Sequence, residues 1–528
     1  MSTLEVRSVG EWVVRTTTEY ANPFADVVVE GIFTTPSNRQ YVVPGFYDGH
    51  DTWRVRFSPP EVGEWSCRIV SRPEDPQLAH EERFDVVPID RRGYLQSVPG
   101  KAWGFVYESG EPVFILGDTT YNLFGMAHCG ANVEAFMERR VRQGFNLLRV
   151  RVPVSPFHPP EGYSAWQTRR TWPWGGSEQA PRFDRFDPDY FHTVDRIVQK
   201  AEELGLGLEM IMEAWGFEWP FNRRDIFVPE WEELWMRYLI ARYDAYSSIY
   251  FWTLMNEYEY YPDGDWRYNP VADRWAMRMA RRVKQVAPHG HIVAVHNGPR
   301  EPAFAHRFRL DPGAVDTILF QDWGTRDKEL GWLAAGIEDV IARAFEGWSG
   351  TRVFAEWGYE RNPEFPLLIP SHEYCCEQHT RRGAWRGAFC GMGIIHGFEN
   401  SWGPFLKLEE DQPGLEYLLH VRHFFTEIVP FERLRPAPHL VEAGDAPAGH
   451  EPLALADASQ NLVVAYLPVG GTVRWKLPHG AEVYDAEWYN PCNGDMQAAP
   501  RSGQSYQAPE AVQDGHPQDW VLVLRRER

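Results

Sequence analysis

The sequence predicts an α/β fold in which a (β/α)8 TIM barrel is flanked by two small all-β sandwich domains. The chain has 528 residues, which is too long for one hydrophobic core and suits two to four domains. Residues 93–428 alternate apolar strand-like runs with helical stretches, as parallel strands joined by helices do. Residues 1–92 and 429–528 contain strand-like runs separated by turn-forming residues. These three ranges are the predicted domains.

Residues 1–92 are predicted to form the N-terminal β-sandwich. Stretches such as ADVVVEGIFTTP, RQYVVPGFYDGHDTWRVRFSP and GEWSCRIVS either alternate apolar with polar residues or run apolar. Gly, Pro, Asn and Asp stand between these stretches, and such residues favour tight turns. Short strands at this regular spacing are typical of two sheets packed face to face.

Eight apolar runs provide the strands of the predicted barrel. They are PVFILGD (112–118), FNLLRVRV (145–152), LGLEMIME (206–213), IYFWTLMNE (249–257), HIVAVHN (291–297), DTILFQDW (316–323), RVFAEWG (352–358) and GMGIIHGFEN (391–400). Stretches between them, such as NVEAFMERRVRQ and ADRWAMRMARRVKQV, have the apolar spacing of helices. A doubly wound open sheet is the alternative, but no Gly-rich phosphate-binding sequence follows the first strand. We therefore expect eight parallel strands in a closed barrel.

Residues 429–528 are predicted to form the C-terminal β-sandwich. Short strand-like runs return in this region: NLVVAYLPVGGTVRWKLP, AEVYDAEWYNPCNGD and DWVLVLRRER. The sequence leaves open whether either sandwich binds a ligand or is structural. Domains that flank a barrel could also pair protomers, so a homo-oligomer stays an open alternative.

The composition excludes several classes of partner. A net charge of −21 at pH 7 provides no basic field that attracts phosphates, so no nucleic-acid partner is expected. No run approaches the ~18 apolar residues of a membrane span, so no membrane partner is expected. The N-terminus lacks a basic region followed by an apolar one, and the six cysteines form no CxxC pair. We therefore expect a cytoplasmic protein with reduced thiols.

Polar residues end all eight predicted strands. They are Asp118, Arg149, Arg151, Glu213, Asn256, Glu257, His296, Asn297, Gln321, Asp322, Glu356, Glu399 and Asn400. In such barrels the carboxyl ends of the strands form the face that carries the chemistry. Strand ends are also solvated, and helix caps favour Asp and Asn, which explains part of the pattern.

Glu257 and Glu356 are poorly explained by solvated strand ends. Each follows an unbroken apolar strand and precedes an aromatic residue. At about 31 residues per β/α unit they lie about three units apart, on the fourth and seventh strands, which face each other across the ring. Glycoside hydrolysis needs such a pair, one carboxyl protonated to donate to the leaving oxygen and the other ionised to attack the sugar. Burial and mutual repulsion can separate their pKa values in this way.

Aromatic residues also gather after the predicted strand ends. The segment 153–188 after the second strand is long and holds three Trp. Aromatic rings can cover the apolar C–H faces of a sugar, while amides and carboxylates bind its hydroxyl groups. The predicted substrate contacts are therefore Trp215, Tyr258, Trp323 and Trp402, with Glu213, His296 and Gln321 as polar partners.

Three strand motifs resemble those of the clan A glycoside hydrolases, the retaining enzymes that include family 5 cellulases. They are GFNLLRV (144–150), TLMNE (253–257) and VFAEWG (353–358), on the second, fourth and seventh strands. PVFILGDTTYNLF (112–124) is similar to the first strand of apiosidase-like barrels from bacterial carbohydrate-degrading enzymes. VPGFYDG and GEW look like a sandwich domain of unknown function that often precedes such barrels, and AEWYNPCNGD (486–495) is similar to their C-terminal sandwich.

This resemblance implies a role for individual residues. Glu257 would be the acid/base and Glu356 the nucleophile, Asn256 would bind the 2-hydroxyl of the sugar, and Arg149 would hold Glu356 ionised. The Gly-Asp-Thr stretch implies a sugar contact for Asp118, and Trp402 resembles the aromatic platform after the eighth strand. The sequence departs from the clan at the sixth strand, where many members carry His and Tyr and this chain has Gln321-Asp322-Trp323. We therefore expect the pKa of Glu356 to be set by residues outside the sixth strand, either Arg149 or His296.

The sequence thus predicts a retaining glycosidase that acts on a carbohydrate substrate by double displacement, with exo action favoured. The alternatives are an endo-acting glycanase and a non-catalytic carbohydrate-binding protein, although a barrel that had lost activity should have lost one of the two glutamates. No HExxH motif or GxSxG elbow is present, so neither a catalytic metal nor a serine nucleophile is expected, and no cofactor is predicted.

Overall fold

The computed structural model confirms the predicted closed barrel of eight parallel strands with all-β domains on either side. In the ring the eight strands follow one another in chain order. The structure describes residues 2–153, 171–265, 267–298, 302–322, 326–327, 332–333, 336–361, 363, 375–398, 408–442, 444–477, 480–513 and 515–526.

The N-terminal domain consists of two facing sheets, in the orders β1-β8-β7-β3-β4 and β2-β6-β5. Every second residue of β2 is buried, so its Trp12 and Val14 enter a core that also holds Phe33, Trp65 and Phe84. This period of two is what a sheet with one buried face requires. The strands are β1 (Ser2–Glu5), β2 (Gly10–Arg15), β3 (Val28–Thr34), β4 (Gln40–Pro44), β5 (Phe46–Tyr47), β6 (Thr52–Phe57), β7 (Gly63–Arg72) and β8 (His80–Val87).

A hairpin of β9 (Leu95–Ser97) and β10 (Phe105–Tyr107) precedes the barrel. Its Leu95 and Phe105 pack with barrel residues such as Ile115 and Phe251, so the hairpin covers one end of the barrel interior. The amide of Val113 donates to the carbonyl of Phe105 (2.9 Å). The first part of the run PVFILGD therefore pairs with the hairpin, which is why the first barrel strand begins later than predicted.

The barrel strands are nearly continuous apolar runs because both of their faces are covered. All nine residues of β15 and all eight of β16 are buried. The eighth strand begins later than predicted because Gly391 closes a turn with a positive φ of 75°. The strands are β11 (Leu116–Thr119), β12 (Leu147–Arg151), β15 (Gly207–Trp215), β16 (Ile249–Asn256), β17 (Ile292–His296), β18 (Thr317–Gln321), β21 (Thr351–Glu356) and β22 (Gly393–Gly397).

Helices follow the barrel strands, and some of them begin at a capping Asn or Asp. Asp187 and Asn269 cap helices whose first residue is proline, which tolerates this position because its missing N–H is not needed there. Within the described ranges no helix has the length and apolar character needed to cross a membrane. The helices are α1 (Leu123–His128), α2 (Val133–Arg142), α3 (Pro188–Leu204), α4 (Pro229–Tyr243), α5 (Pro270–Val286), α6 (Phe304–Arg307), α7 (Ile337–Ala344), α8 (Glu377–Phe389) and α9 (Gly414–His423).

Two short hairpins extend the loops at the carboxyl ends of the strands. The first, β13 (Trp174–Ser177) with β14 (Ala180–Phe186), belongs to the long segment after β12, and the second joins β19 (Arg326–Asp327) to β20 (Trp332–Leu333). Trp174 is 2% exposed and packs on Trp235 of α4, with ring centroids 4.7 Å apart. The first hairpin is therefore anchored in the hydrophobic core.

The C-terminal domain pairs a six-stranded sheet, β23-β25-β26-β34-β28-β29, with a four-stranded sheet, β24-β27-β31-β30. Both faces of β26 are buried: Val463 and Ala465 face the sandwich core, while Val464 and Tyr466 pack with the barrel helices. The strands are β23 (Arg435–Pro436), β24 (Val441–Glu442), β25 (Leu453–Ala456), β26 (Leu462–Leu467), β27 (Thr472–Trp475), β28 (Tyr484–Tyr489), β29 (Met496–Ala498), β30 (Arg501–Ser502), β31 (Ser505–Gln507), β32 (Val512–Gln513), β33 (His516–Pro517) and β34 (Trp520–Arg526).

Buried ion pairs join both flanking domains to the barrel. Arg56 of β6 and Arg242 of α4 each donate to Oδ2 of Asp195 in α3, at 2.7 Å. On the other side, Arg381 of α8 lies 2.8 Å from Asp519. The domain boundaries at residues 92 and 428 stay predictions.

Candidate active site

The barrel brings Glu257 and Glu356 to the same end, on the fourth and seventh strands of the ring. Glu356 is the last residue of β21 and is 5% exposed. Glu257 directly follows β16 and adopts a left-handed backbone conformation, with φ 52° and ψ 53°. This region is unfavourable for residues with a Cβ, and such backbone strain concentrates at functional sites.

Glu356 is held by one donor from β12 and one from the segment that follows β11. Arg149 of β12 donates to its Oε1 at 2.5 Å, and the hydroxyl of Tyr121 donates to the same oxygen at 2.5 Å. Tyr359 in turn donates to the Tyr121 hydroxyl at 3.1 Å. Burial raises the pKa of Tyr121 well above its ordinary value, so its hydroxyl keeps the proton that it donates. These donors complement a carboxylate at Glu356.

Arg149 connects three acceptors in the barrel interior. Besides Glu356, its guanidinium donates to Oδ1 of Asn256 and, through Nε, to Oε1 of Glu209 at 3.3 Å. Arg149 is fully buried, and its planar group presents several donors in a fixed geometry. It therefore fixes the amide of Asn256 relative to the carboxylate of Glu356.

Glu257 lies in a different environment. The amide nitrogen Nε2 of Gln321 donates to its Oε1 and also to the carbonyl of Asn297, each at 2.5 Å. Burial, followed by the negative charge of Glu356, raises the pKa of Glu257 to about 8, although the hydrogen bond from Gln321 opposes this. Glu257 is therefore mostly protonated at neutral pH.

His296, the last residue of β17, completes the group around Glu356. Its Nε2 lies 3.5 Å from Oε1 of Glu356, and the side chain is fully buried. Burial and the positive charge of Arg149 lower the pKa of His296 well below its ordinary value. The imidazole is therefore neutral at neutral pH.

Aromatic rings line the same end of the barrel. Trp215, the last residue of β15, stacks on Phe217 with centroids 5.3 Å apart and an interplanar angle of 11°. Its ring also lies 5.5 Å from that of Tyr121, and the Arg151 guanidinium lies 4.3 Å from its centroid. Trp215 is 8% exposed, whereas Phe217 is only partly buried. Phe217 therefore exposes more of its ring at this end of the barrel.

Two predicted contacts do not reach the mouth of the barrel, and these predictions are corrected. Asp118 is fully buried and accepts a hydrogen bond from Arg140 of α2 at 2.8 Å. Side chains alternate along β11, so Gly117 faces the barrel interior and Asp118 faces the surrounding helices. The left-handed turn at Glu257 directs Tyr258 into the hydrophobic core. Its hydroxyl there donates to Asp273 at 2.9 Å.

The remaining predicted residues divide into three groups. The first lies in the hydrogen-bonded group around the two glutamates and contains Arg149, Asn256, His296 and Gln321, with Trp215 packed on Tyr121 beside it. The second is Glu213, which is 2% exposed and accepts a hydrogen bond from Arg224 at 2.6 Å. Arg224 also donates to Glu232 of α4. Trp323 and Trp402 lie outside the described residues.

Sequence reasoning did not assign roles to Tyr121, Tyr359, Glu209 and Asn297. Tyr121 lies past the end of β11, where strand alternation no longer predicts the direction of a side chain. A signal for Glu209 was available, because a carboxylate in the middle of an apolar strand needs a buried partner. Among the residues that the structure describes, no three His, Cys, Asp or Glu side chains are placed to hold a metal ion.

Family models match all three parts of the chain. The model described as "Apiosidase-like, catalytic domain" matches residues 102–416. "Domain of unknown function (DUF5060)" matches residues 4–72, and "Putative collagen-binding domain of a collagenase" matches residues 436–525. No protein of curated function matches the chain.

Solved structures share the fold. A "putative glycoside hydrolase" from Bacteroides vulgatus is similar over 100% of both chains, with a TM-score of 0.67 and 17% identity. A family 5 glycoside hydrolase from the same bacterium has a TM-score of 0.61 and 17% identity, covering 82% of this chain and 93% of its own. The apiosidase-like model spans more than half of the chain and contains both glutamates. The chain therefore belongs to the apiosidase-like family, and its barrel is the catalytic domain of a glycosidase.

Proposed function

We propose that the protein is a retaining glycosidase in which Glu356 is the nucleophile and Glu257 the acid/base. The contrast between the two carboxyl groups is the observation that carries this proposal. Oε1 of Glu356 accepts from Arg149 and Tyr121, whereas burial and the charge of Glu356 raise the pKa of Glu257 to about 8. One carboxyl group is thus prepared to attack and the other to donate a proton.

In the first step, a carboxylate oxygen of Glu356 forms a bond to the anomeric carbon of the sugar. The bond from that carbon to the leaving oxygen breaks, and the proton of Glu257 moves to the leaving oxygen. The products are the released alcohol, a glycosyl ester of Glu356 and an ionised Glu257.

The second step reverses these roles. Water attacks the anomeric carbon and gives a proton to Glu257, while the bond to Glu356 breaks. The two inversions restore the original anomeric configuration. In this proposal Asn256, whose amide oxygen accepts from Arg149, binds the 2-hydroxyl of the sugar, and Gln321 orients Glu257 in both steps.

We further propose exo action on short oligosaccharides. The segment after β12 is long, and it ends in the hairpin of β13 and β14. Trp174 anchors this hairpin against α4, and the anchored hairpin supports a model in which one side of the mouth is closed. The name of the family makes aryl apiosides reasonable members of a substrate panel. Product lengths from a longer oligosaccharide would separate release of single sugars from internal cleavage.

A panel of aryl glycosides, with both pyranosides and furanosides and both anomers, tests the proposal. Wild type should release phenol from at least one member, and Glu356→Gln should lose this activity by ~10⁴-fold or more because it lacks the attacking carboxylate. Asp118→Asn is a control at a buried carboxylate outside the mouth. Equal release by wild type and Glu356→Gln would contradict the assignment of the nucleophile.

A further inference from the structure

A third carboxyl group lies inside the barrel below the two glutamates. Glu209, the third residue of β15, is fully buried. Its Oε1 accepts from Nε of Arg149 at 3.3 Å and from the hydroxyl of Thr253 at 3.0 Å. No described residue donates to its buried Oε2. The reaction steps above give this group no role.

Glu209 and Glu356 contact the same guanidinium from different directions. Arg149 is fully buried, and a guanidinium does not lose its proton in proteins. A buried charge that loses its partner is strongly destabilised. The position of Arg149 therefore depends on having a carboxylate beside it at every stage of the reaction.

Double displacement changes the charges around Arg149. In the free enzyme, Oε1 of Glu356 accepts directly from Arg149. In the glycosyl-enzyme, Glu356 is an ester and no longer carries a charge. Among the described contacts of Arg149, Glu209 then provides the remaining carboxylate.

We propose that Glu209 is a positioning residue that serves as the counter-ion of Arg149 while Glu356 is esterified. It keeps the guanidinium, and through it Asn256, in place for the attack of water. This inference rests on the proposed double displacement. Its main consequence is that Glu209 matters more for the second step than for the first.

The charged and titratable groups that act on Glu209 are consistent with this role. Burial raises the pKa of Glu209 to about 7, Arg149 and Thr253 oppose that change, and the charge of Glu356 adds to it. Esterification removes the repulsion from Glu356. The pKa of Glu209 then falls, and its carboxylate form is favoured at the stage where Arg149 needs it.

Glu209→Gln tests the inference, with the 2,4-dinitrophenyl glycoside of whichever sugar the aryl glycoside panel identifies. This leaving group makes the first step fast. The kcat should fall about tenfold to a hundredfold, the loss that a small misplacement of catalytic groups causes. KM should fall in parallel, so that kcat/KM stays within about threefold of wild type. A burst of one dinitrophenolate per enzyme should precede the steady state, because the glycosyl-enzyme accumulates.

Two further variants separate charge from shape. Glu209→Asp keeps the charge and should retain kcat at least about fivefold better than Glu209→Gln; equal losses would overturn the counter-ion role. Glu360→Gln is a matched control, since Glu360 is 2% exposed and accepts from Thr380 and Gly414 rather than Arg149. Compared with wild type, it should show neither a slower steady state after the burst nor the joint fall of kcat and KM.

The outcomes separate this inference from the proposed function. If wild type forms a glycosyl-enzyme, seen as a mass increase of one sugar, but Glu209→Gln has wild-type kcat, Glu209 has no such role. A fall of kcat/KM as large as that of kcat would also overturn the inference, since both steps would then need Glu209 equally. If wild type forms no glycosyl-enzyme with any member of the panel, double displacement itself is contradicted.

Discussion

Removing the carboxyl group of Glu257 should abolish the alkaline limb of the pH profile. Glu257 is the proposed acid of the first step, and kcat/KM reports that step in the free enzyme. In wild type, kcat/KM should therefore fall as the pH rises through the pKa of Glu257. In Glu257→Ala no proton is lost from this position, so that limb should disappear.

The magnitude follows from the environment of Glu257. With a pKa of about 8, raised by burial and by Glu356, about nine in ten molecules are protonated at pH 7 and about one in ten at pH 9. With the ordinary value of 4.5, about one in three hundred would be protonated at pH 7. Burial and the charge of Glu356 thus increase the protonated fraction at pH 7 by a factor of a few hundred.

The assay compares aryl glycosides whose leaving groups differ in their need for a proton. With the phenyl glycoside, whose leaving group needs a proton, the kcat/KM of Glu257→Ala should be ~10²–10⁴-fold lower than that of wild type, which is the usual contribution of general acid catalysis. With dinitrophenol, which leaves as an anion, the loss should be much smaller. An alkaline limb that persists unchanged in Glu257→Ala, or equal losses for both leaving groups, would refute the assignment.

Three other substitutions test the surroundings of the site. Arg149→Lys keeps the charge but loses the forked geometry and about two charge-assisted hydrogen bonds, so kcat/KM should fall at least about a hundredfold in steady-state assays. Tyr121→Phe removes one donor to Glu356 and should lower kcat about tenfold to a hundredfold, with little change in thermal unfolding. Asp195→Asn leaves two buried arginines without their shared carboxylate, and denaturant titration should show a loss of about 3–5 kcal/mol.

The same ion pair predicts how stability depends on pH. Burial opposes the carboxylate of Asp195, but the charges of Arg242 and Arg56 outweigh it and lower its pKa below the ordinary value. A lowered pKa gives stability that is present above the unfolded pKa, about 3.9, and is lost as the pH falls towards the folded value. The difference in the free energy of unfolding between wild type and Asp195→Asn should therefore become smaller below about pH 4. A difference that stays constant down to pH 2 would contradict this cause.

Much of the fold could be predicted from the sequence because its signals are local. Continuous apolar runs such as those of β15 and β16 are what a strand covered on both faces requires. The predicted start of the first strand was less accurate, since Val113 is apolar yet pairs with the β9–β10 hairpin. Apolar character indicates burial and does not identify the partner of a strand.

The candidate site was predictable where strand order alone determines position. The ends of the fourth and seventh strands must meet at one end of the barrel, so the sequence alone sufficed to pair Glu257 with Glu356. Asp118 and Tyr258 also lie at strand ends, but the direction of a side chain depends on alternation and on the turn that follows. The left-handed residue Glu257 changes that direction for Tyr258.

The tyrosine beside Glu356 illustrates what sequence reasoning lacks. The sixth strand offers Gln321, which donates to Glu257, and Tyr121 from the first β/α unit donates to Glu356. The two residues are far apart in the chain, and only the closed ring brings each to its glutamate. Contacts of this kind depend on side-chain geometry across the barrel, which a strand pattern does not contain.

Proton NMR of the first sugar released by wild type from the panel substrate tests the central claim most directly. The spectrum would be recorded before mutarotation mixes the two anomers. Double displacement through Glu356 predicts that the first product has the same anomeric configuration as the substrate. An inverted first product would contradict the account, because water would then attack the sugar directly and Glu356 would act as a base.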